Sequence, residues 1–390
     1  MDLLISVLSI VLWSSIPLWY PLTANGKIKS NSSTAIPSEA FTVEKNLTFI
    51  DTAKSKEINI ETMPPIQSQD TVGSCFGCAS STIIQKYLCD SDPKIKGAGT
   101  TCNQLPRDKR ISQFSLVAWA DTNDDRQEKG NENTDPKDSE NHKNVRLYRD
   151  RTDFSSGSNA LRDSITEFKF MPESCFPFDQ LVSKWGSKDG NLFKEKVYEK
   201  TRELYLNMRT KTEAASLNCE ECLKQIRADF NTNQFSKETF ASALQKGTFG
   251  EFLYELLFHD CKPLEISNKR HKYKQFPPGK EETADKSLVY AKIRETIDKG
   301  KPVLLSGVCL EYNADKTSCK NGHDTVASGY RKACPSDNYS SAECKLQIKI
   351  HNCWGKDWQD ANNDGWVDAD NLIKHLNEGK TYIDAGDLSW

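Results

Sequence analysis

The sequence predicts an α+β protein, and three observations support that class. Apolar residues recur at helical offsets in the first and middle parts of the chain, whereas short continuous apolar runs near the C-terminus are typical of β-strands. The 13 cysteines among 390 residues are many for a protein of a reducing compartment and indicate disulfides. We therefore expect a helical part followed by a β-rich part.

The N-terminal residues indicate export. An apolar stretch runs from Leu3 to Leu22 and is followed by the small residues Ala24 and Gly26, which predicts a cleaved signal peptide over residues 1–26. Because Asp2 precedes this stretch without a Lys or Arg, a retained N-terminal anchor stays an alternative. Export predicts a secreted or periplasmic protein with no integral membrane segment after signal cleavage. Residues 27–61 are polar and are interpreted as an N-terminal tail or a short pro-segment.

One domain is expected over residues 62–390, interrupted by two insertions. Residues 121–144 are almost all charged or polar, which predicts a disordered or loop insertion over about 121–152. Residues 184–286 carry apolar side chains at helical offsets, which predicts a helical insertion and a candidate surface for a protein partner. A first helix is expected through Ile83, Ile84 and Leu88, and strands are expected over residues 302–308 and 346–350.

The charges of the chain nearly balance. It has 52 Lys and Arg against 55 Asp and Glu, a formal net charge of −3. A protein that binds nucleic acid through phosphate contacts usually carries a clear excess of basic residues. Nucleic acid is therefore not predicted as a partner.

A thiol stands at the expected start of the first helix. Cys75 lies six residues after Gln69, and the positive end of the helix dipole favours the thiolate over the thiol. A thiolate nucleophile needs a histidine to exchange protons, a group to orient that histidine and donors for an oxyanion. The alternatives are a redox pair of Cys75 with Cys78, or a zinc site shared with Cys219 and Cys222.

Two later segments supply the remaining groups. His323 stands at the head of a predicted strand, and Asn352 follows the next strand beside Trp354. Neighbouring strands would bring the imidazole and the amide together. His351 adjoins Asn352, but successive side chains of a strand point to opposite faces. A surface or structural role is therefore expected for His351.

These segments together resemble the papain-like cysteine peptidases, most of all the bacterial secreted members. In that family a glutamine precedes the nucleophilic cysteine by six residues, as Gln69 precedes Cys75. A histidine stands a few residues before a Gly-Tyr pair, as His323 does, and an asparagine opens an Asn-Ser-Trp-Gly string, matched from Asn352 with cysteine in place of serine. The matching blocks occur in the family's order along about half of the chain.

The resemblance implies a papain-like two-subdomain fold and hydrolysis of peptide bonds in a peptide or protein substrate, by an endopeptidase or an exopeptidase. A left, helical half would hold Cys75, and a right, β-rich half would hold His323 and Asn352. Cys75 would be the nucleophile, His323 the general acid and base, and Asn352 the group that orients the imidazole. Gln69, with the Cys75 backbone N–H, would stabilise the oxyanion. This chemistry requires no cofactor.

The resemblance also assigns residues around the substrate. Gly157 and Ser158 match the substrate-cleft segment of bacterial relatives, and Trp354 is expected to shield the imidazole–amide hydrogen bond from water, with ordinary core packing as the alternative. Asn321 and Asp324 flank the histidine where the family builds the pocket for the second side chain before the cut. They predict a polar, acidic pocket that favours Lys or Arg, unless Asp324 is turned away or neutralised.

The cysteines depart from the family in one respect. Val72 stands where a disulfide cysteine is usual, and Phe76 replaces the usual tryptophan after the nucleophile. One cleft disulfide is therefore expected to be missing. Cysteines that flank short loops suggest two local disulfides, namely Cys309 with Cys319 and Cys334 with Cys344.

The segment after residue 358 is similar to an EF-hand loop. Oxygen side chains, a glycine and a backbone carbonyl fall in the order of such a loop, so the expected ligands are Asp360, Asn362, Asp364, Trp366 and Asp368. Because Asn371 replaces the bidentate Glu of the twelfth place, only a weak Ca²⁺ site is predicted, with a Kd of about 10⁻⁴ to 10⁻³ M. An acidic surface turn without metal is the alternative.

Two other functions are compatible with the same residues. A catalytically silent papain-fold protein would use its insertions as a binding surface, and a thiol hydrolase of cell-wall amide bonds would differ only in the cleft. A silent protein need not keep Gln69, Cys75, His323 and Asn352, all of which are present.

Overall fold

The fold is mixed helix and antiparallel sheet, as the sequence predicts. A computed structural model describes residues 39–42, 47–49, 57–69, 74–97, 100–116, 170–178, 199–209, 219–230, 232–247, 249–265, 274–276, 285–314, 319–335, 344–378 and 383–385. The predicted signal peptide (1–26) and the predicted loop insertion (121–152) lie outside these residues. Within the described part of the chain, no helix is both long enough and apolar enough to cross a membrane.

The described helices and strands follow one another in mixed order along the chain. The described helices are α1 (Cys75–Ser91), α2 (Pro93–Lys96), α3 (Glu199–Arg209), α4 (Glu220–Asp229), α5 (Lys237–Leu244), α6 (Phe249–Phe258), α7 (Lys286–Asp298), α8 (Gly355–Ala361) and α9 (Ala369–Glu378). The described strands are β1 (Leu47–Phe49), β2 (Ile58–Asn59), β3 (Lys274–Phe276), β4 (Val303–Tyr312), β5 (Cys319–Pro335), β6 (Lys345–His351), β7 (Trp366–Asp368) and β8 (Ile383–Ala385).

The described strands form one antiparallel sheet in the order β3-β8-β4-β5-β6-β7, with β1 and β2 also paired to β5. The long strand β5 is central, since it pairs with β4 on one side and with β6 on the other. Val326 of β5 lies opposite His351 at the end of β6. This register brings the end of β6 close to the middle of β5, where His323 lies.

One hydrophobic core, the sheet core, joins α1 to the sheet. Ile83, Ile84 and Leu88 of α1 are at most 2% exposed and belong to the same buried cluster as Val326 and Ile348. Apolar residues at helical offsets on α1 therefore face the sheet, which explains the predicted first helix. The predicted strands of residues 302–308 and 346–350 are confirmed as β4 and β6.

A second hydrophobic core, the helical core, lies within the predicted helical insertion. Its members come from α3 to α6 and include the fully buried Phe252. Phe114 and Phe176, which lie outside the insertion, belong to the same cluster, and Phe76 packs against it. The helical insertion is therefore packed onto the residue that follows Cys75.

Three local elements differ from the expectation. The segment around Phe41 is part of the sheet core rather than a tail, and β1 and β2 pair with β5. Residues 274–276 form a strand inside the predicted helical insertion, and residues 286–298 form a helix beyond the end expected for that insertion. The helix α7 begins at a side-chain cap, since Asp285 accepts a hydrogen bond from the Ser287 amide at 2.7 Å.

Twelve of the thirteen cysteines form disulfides, which fits an extracellular protein. The two predicted local disulfides, Cys309–Cys319 and Cys334–Cys344, are confirmed. The other pairs are Cys78–Cys353, Cys89–Cys102, Cys175–Cys261 and Cys219–Cys222. Cys78 is bonded to Cys353, so it does not form a redox pair with Cys75. Cys219 and Cys222 are bonded to each other, so their thiolates are not available as zinc ligands in this structure.

Candidate active site

Cys75 is the single free cysteine and the first residue of α1. Ser74 is the N-cap, and its carbonyl accepts the Cys78 amide at 3.1 Å. The amides of the first helical turn have no acceptor within the helix, and those of Cys75 and Phe76 point toward the Cys75 sulfur. Cys75 is a half-buried residue, and its sulfur stands among backbone donors that favour the thiolate.

His323 and Asn352 form the hydrogen bond that the sequence predicts. The distance from His323 Nε2 to Asn352 Oδ1 is 2.8 Å, and both residues are at most 3% exposed. Asn352 Oδ1 also accepts the Cys353 amide at 2.8 Å. An amide oxygen can only accept hydrogen bonds, so the imidazole must be the donor in its bond to Asn352 Oδ1. His323 Nε2 therefore carries the proton, and Nδ1 of the neutral ring is left as an acceptor.

Trp354 lies over this hydrogen bond. Its ring centroid is 4.7 Å from that of His323, with 36° between the planes. Trp358 packs edge-on against Trp354 at 5.4 Å. Aromatic surface over a polar pair excludes water and strengthens the pair's electrostatic interaction. This contact is compatible with the expected shielding by Trp354 and with the alternative of ordinary core packing.

Cys353 connects the separate parts of the site. Its carbonyl accepts the amide of Gln69 at 2.8 Å, and its sulfur is bonded to Cys78, one turn after Cys75. Its amide holds the Asn352 side chain. Gln69, only 6% exposed, is therefore held next to the end of β6, and α1 is covalently tied to the same point. The resemblance gave no sign of this pairing, because the family has serine at the position of Cys353.

The surroundings of the Cys75 thiol and the His323 imidazole keep both side chains neutral. Burial, and next to it the Asp324 carboxylate, raise the pKa of the Cys75 thiol to about 12, against the opposing pull of backbone amides. Burial lowers the pKa of His323 to about 4, although its hydrogen bond to Asn352 acts in the other direction. The expected resting thiolate is therefore not what this structure favours: burial and a carboxylate outweigh the helix terminus.

Asp324 does not line an exposed pocket. Its side chain is 3% exposed, and Oδ1 accepts hydrogen bonds from Ser306 Oγ at 2.9 Å and from the Gly307 amide at 2.7 Å. Its backbone amide points to the Cys75 sulfur. The Asp324 carboxylate acts on the Cys75 thiol through its charge. Because it is buried, it is not an exposed acid that could select Lys or Arg in a substrate. Asn321 pairs with Glu311 through the backbone of β5 and β4.

His351 is buried rather than on the surface. It is 7% exposed and hydrogen-bonded to the Pro65 backbone. Nε2 is buried without a hydrogen-bond partner, so the bond to Pro65 comes from Nδ1. Burial lowers the pKa of His351 to about 4. A surface or structural role was expected for His351, and the buried position fits the structural one.

The five expected calcium ligands are not gathered into one cluster. Asp360 binds Lys356 at 2.7 Å and Asp364 binds Lys349 at 2.5 Å. The other three are engaged separately: Asp368 Oδ1 accepts the Asn371 amide, Asn362 donates to Trp358, and Trp366 lies in β7. Across the ranges given above, no group of three or more His, Cys, Asp and Glu side chains could hold a metal ion.

The sharp turn predicted at Gly365 does form. Its φ is 82°, and a Cβ there would overlap the Gln359 amide and the Ile350 carbonyl. Gln359 Nε2 donates to Ile350 O at 2.8 Å and to Asp364 O at 3.0 Å. The Gln359 side-chain amide thus connects this turn to the end of β6.

Two predicted substrate residues, Gly157 and Ser158, lie outside the described residues. Sequence reasoning missed Phe41, which packs against His323 with a centroid separation of 5.9 Å. Its one signal was an aromatic residue in an otherwise polar segment. No protein-family model matches the chain, and the comparison with curated proteins also found no match.

Proposed function

We propose that this chain is a secreted cysteine peptidase of papain-like, two-subdomain architecture. The observation that carries the proposal is the 2.8 Å bond from His323 to Asn352 in a chain whose single free thiol, Cys75, begins the helix that is disulfide-bonded beside Asn352. An odd number of cysteines leaves at least one unpaired, and here the unpaired thiol is the one at the first position of α1. Six disulfides support secretion.

The neutral resting pair suggests the order of proton transfers. As the Cys75 sulfur attacks the substrate carbonyl carbon, its proton passes to Nδ1 of His323, and the carbonyl oxygen becomes an oxyanion. Gln69 and the Cys75 backbone N–H stabilise that oxyanion. The imidazolium then gives its proton to the leaving amine, and a thioester remains. His323 then takes a proton from a water molecule as that water attacks the thioester carbonyl carbon. The C–S bond breaks, the carboxylic acid product leaves, and the imidazolium returns its proton to the Cys75 sulfur.

The function of Asn352 follows from the same hydrogen bond. Its amide oxygen accepts a hydrogen bond from His323 Nε2 and so stabilises the tautomer with the proton on Nε2. In that tautomer Nδ1 is free to accept the proton of the Cys75 thiol. The Cys353 amide fixes the orientation of that oxygen. Asn352 is therefore a positioning residue in this proposal, and Cys75 and His323 are the catalytic residues.

Hydrolysis of a mixed peptide library tests the proposal. The wild type should cleave the library, whereas Cys75→Ala and His323→Ala should lose turnover by a factor of about 10⁴ or more, since nucleophile and base act as one unit. His351→Ala is the matched control, because it removes a neighbouring buried histidine and should retain turnover. Equal loss in His351→Ala and His323→Ala would contradict the assigned base.

One observation favours a second function. A thiol with a pKa of about 12 and an imidazole with a pKa of about 4 are poor partners for spontaneous ionisation. That favours a catalytically silent binding protein, in which the site residues serve packing. Absence of cleavage by the wild type, together with unchanged folding of Cys75→Ala, would select this alternative.

A further inference from the structure

The N-terminal segment Glu39–Phe41 lies against the catalytic histidine of the proposed function. Ala40 and Phe41 are fully buried, although they come from a polar stretch. The Phe41 ring meets His323 edge-on at 5.9 Å with an interplanar angle of 85°. It also contacts Trp354 at 5.4 Å and Trp358 at 5.9 Å in the same manner. Phe41 is therefore a member of the aromatic cluster around the imidazole.

Backbone pairing holds this segment in place. The Asp368 amide of β7 donates to the Thr42 carbonyl at 3.3 Å. Further along, β1 pairs with residues 333–335 of β5, and β2 pairs with residues 329–330 of the same strand. The Ile60 amide then donates to the Ser328 carbonyl at 2.9 Å. Removing the segment would expose an edge of the sheet as well as the aromatic cluster.

The position of Phe41 has a direct effect on the imidazole. An edge-on aromatic ring excludes water from His323 and keeps the ring from tilting away from Asn352. Burial is the first cause of the lowered pKa of His323, and Phe41 contributes part of that burial. Truncating it would leave space for water beside the buried His323–Asn352 pair.

We propose that Phe41 is a positioning residue for His323, and that the segment carrying it stays in the active protein instead of being removed as a pro-segment. The role in catalysis rests on the proposed function. The effect on the imidazole does not, because it can be measured without a substrate.

The test is an NMR titration of the His323 imidazole in the full chain, assigned with His323→Gln. In Phe41→Ala, water should reach the ring, so the titration midpoint should move toward 6.5, and kcat should fall at least tenfold with a smaller change in KM. Phe230→Ala is the matched control, because Phe230 is equally buried but belongs to the helical core. It should leave the midpoint unchanged. Should Phe41→Ala fail to fold, Phe41→Leu is titrated in its place.

The result that overturns the proposal is an unmoved midpoint in a folded Phe41 variant, or an equal shift in Phe230→Ala. Sequencing the N-terminus of the protein secreted in active form gives a second readout. Phe41 should be retained, and an active protein that begins after residue 61 would contradict the proposal. A shifted midpoint in a protein that cleaves nothing would refute only the peptidase, so the two failures are distinguishable.

Discussion

Two buried histidines should make the protein lose stability as the pH falls from about 6.5 to about 4. His323 and His351 are at most 7% exposed, and burial lowers the pKa of each to about 4. In the unfolded chain a histidine takes up its proton near pH 6.5. Between about pH 4 and pH 6.5 the unfolded state binds more protons than the folded state. The free energy of unfolding therefore rises with pH in this range, and the contribution of the neutral histidines is lost as the pH falls through it.

The size of the effect follows from the shift. A difference of 2.5 between the two pKa values corresponds to about 3 kcal/mol per histidine at full protonation, and to about 2.5 kcal/mol between pH 7 and pH 4.5. For His351 the physical cause is visible, because Nε2 is buried without an acceptor. Protonating it would bury a charged N–H with nothing to receive it.

Paired variants isolate each contribution. His351→Asn keeps a donor in the place of Nδ1, and His323→Gln keeps one in the place of Nε2. We expect urea unfolding, with disulfides intact, to show that each variant loses about 2.5 kcal/mol less than the wild type between pH 7 and pH 4.5. Identical pH dependence in wild type and variants would refute the reasoning, because it would mean that neither imidazole is held neutral by the fold.

Three further predictions concern the site. Replacing both Cys78 and Cys353 with Ser should destabilise the protein by about 2 to 5 kcal/mol in chemical denaturation, because the bond closes a loop of 275 residues; a loss no greater than that of a surface substitution would contradict it. Asp324→Asn should lower the pKa of the Cys75 thiol, because the Asp324 carboxylate raises that pKa. Alkylation of Cys75 by iodoacetamide at pH 8 should therefore become faster. An unchanged or slower rate would show that the Asp324 charge does not act on the thiol. Gln69→Ala should reduce kcat by about 10²- to 10³-fold through loss of one oxyanion donor, and undiminished kcat would remove Gln69 from the oxyanion site.

Local sequence patterns predicted those parts of the fold that local chemistry determines. Helical spacing located α1, and apolar runs located β4 and β6. The His323–Asn352 pair was predictable because His323 lies on β5 and Asn352 directly follows β6, the next strand along the chain. Two local disulfides, Cys309–Cys319 and Cys334–Cys344, were predictable because a ten-residue separation confines the two ends.

Features that depend on distant parts of the chain could not be predicted. Cys78 meets Cys353 only because α1 packs on the sheet, and no spacing rule encodes a separation of 275 residues. Phe41 looks like part of a polar tail until β1 and β2 join β5. The raised pKa of Cys75 comes from burial and from the charge of Asp324, both consequences of tertiary packing.

Trapping the acyl-enzyme is the most direct test of the proposal that Cys75 attacks the substrate carbonyl. The protein would be mixed with an activated peptide ester, quenched in acid within the first turnover and mapped by mass spectrometry. We expect one acyl group per chain, located on the peptide that contains Cys75, and none in Cys75→Ala. An acyl group on any other residue, or hydrolysis of a peptide substrate that proceeds in Cys75→Ala at the wild-type rate, would contradict the account.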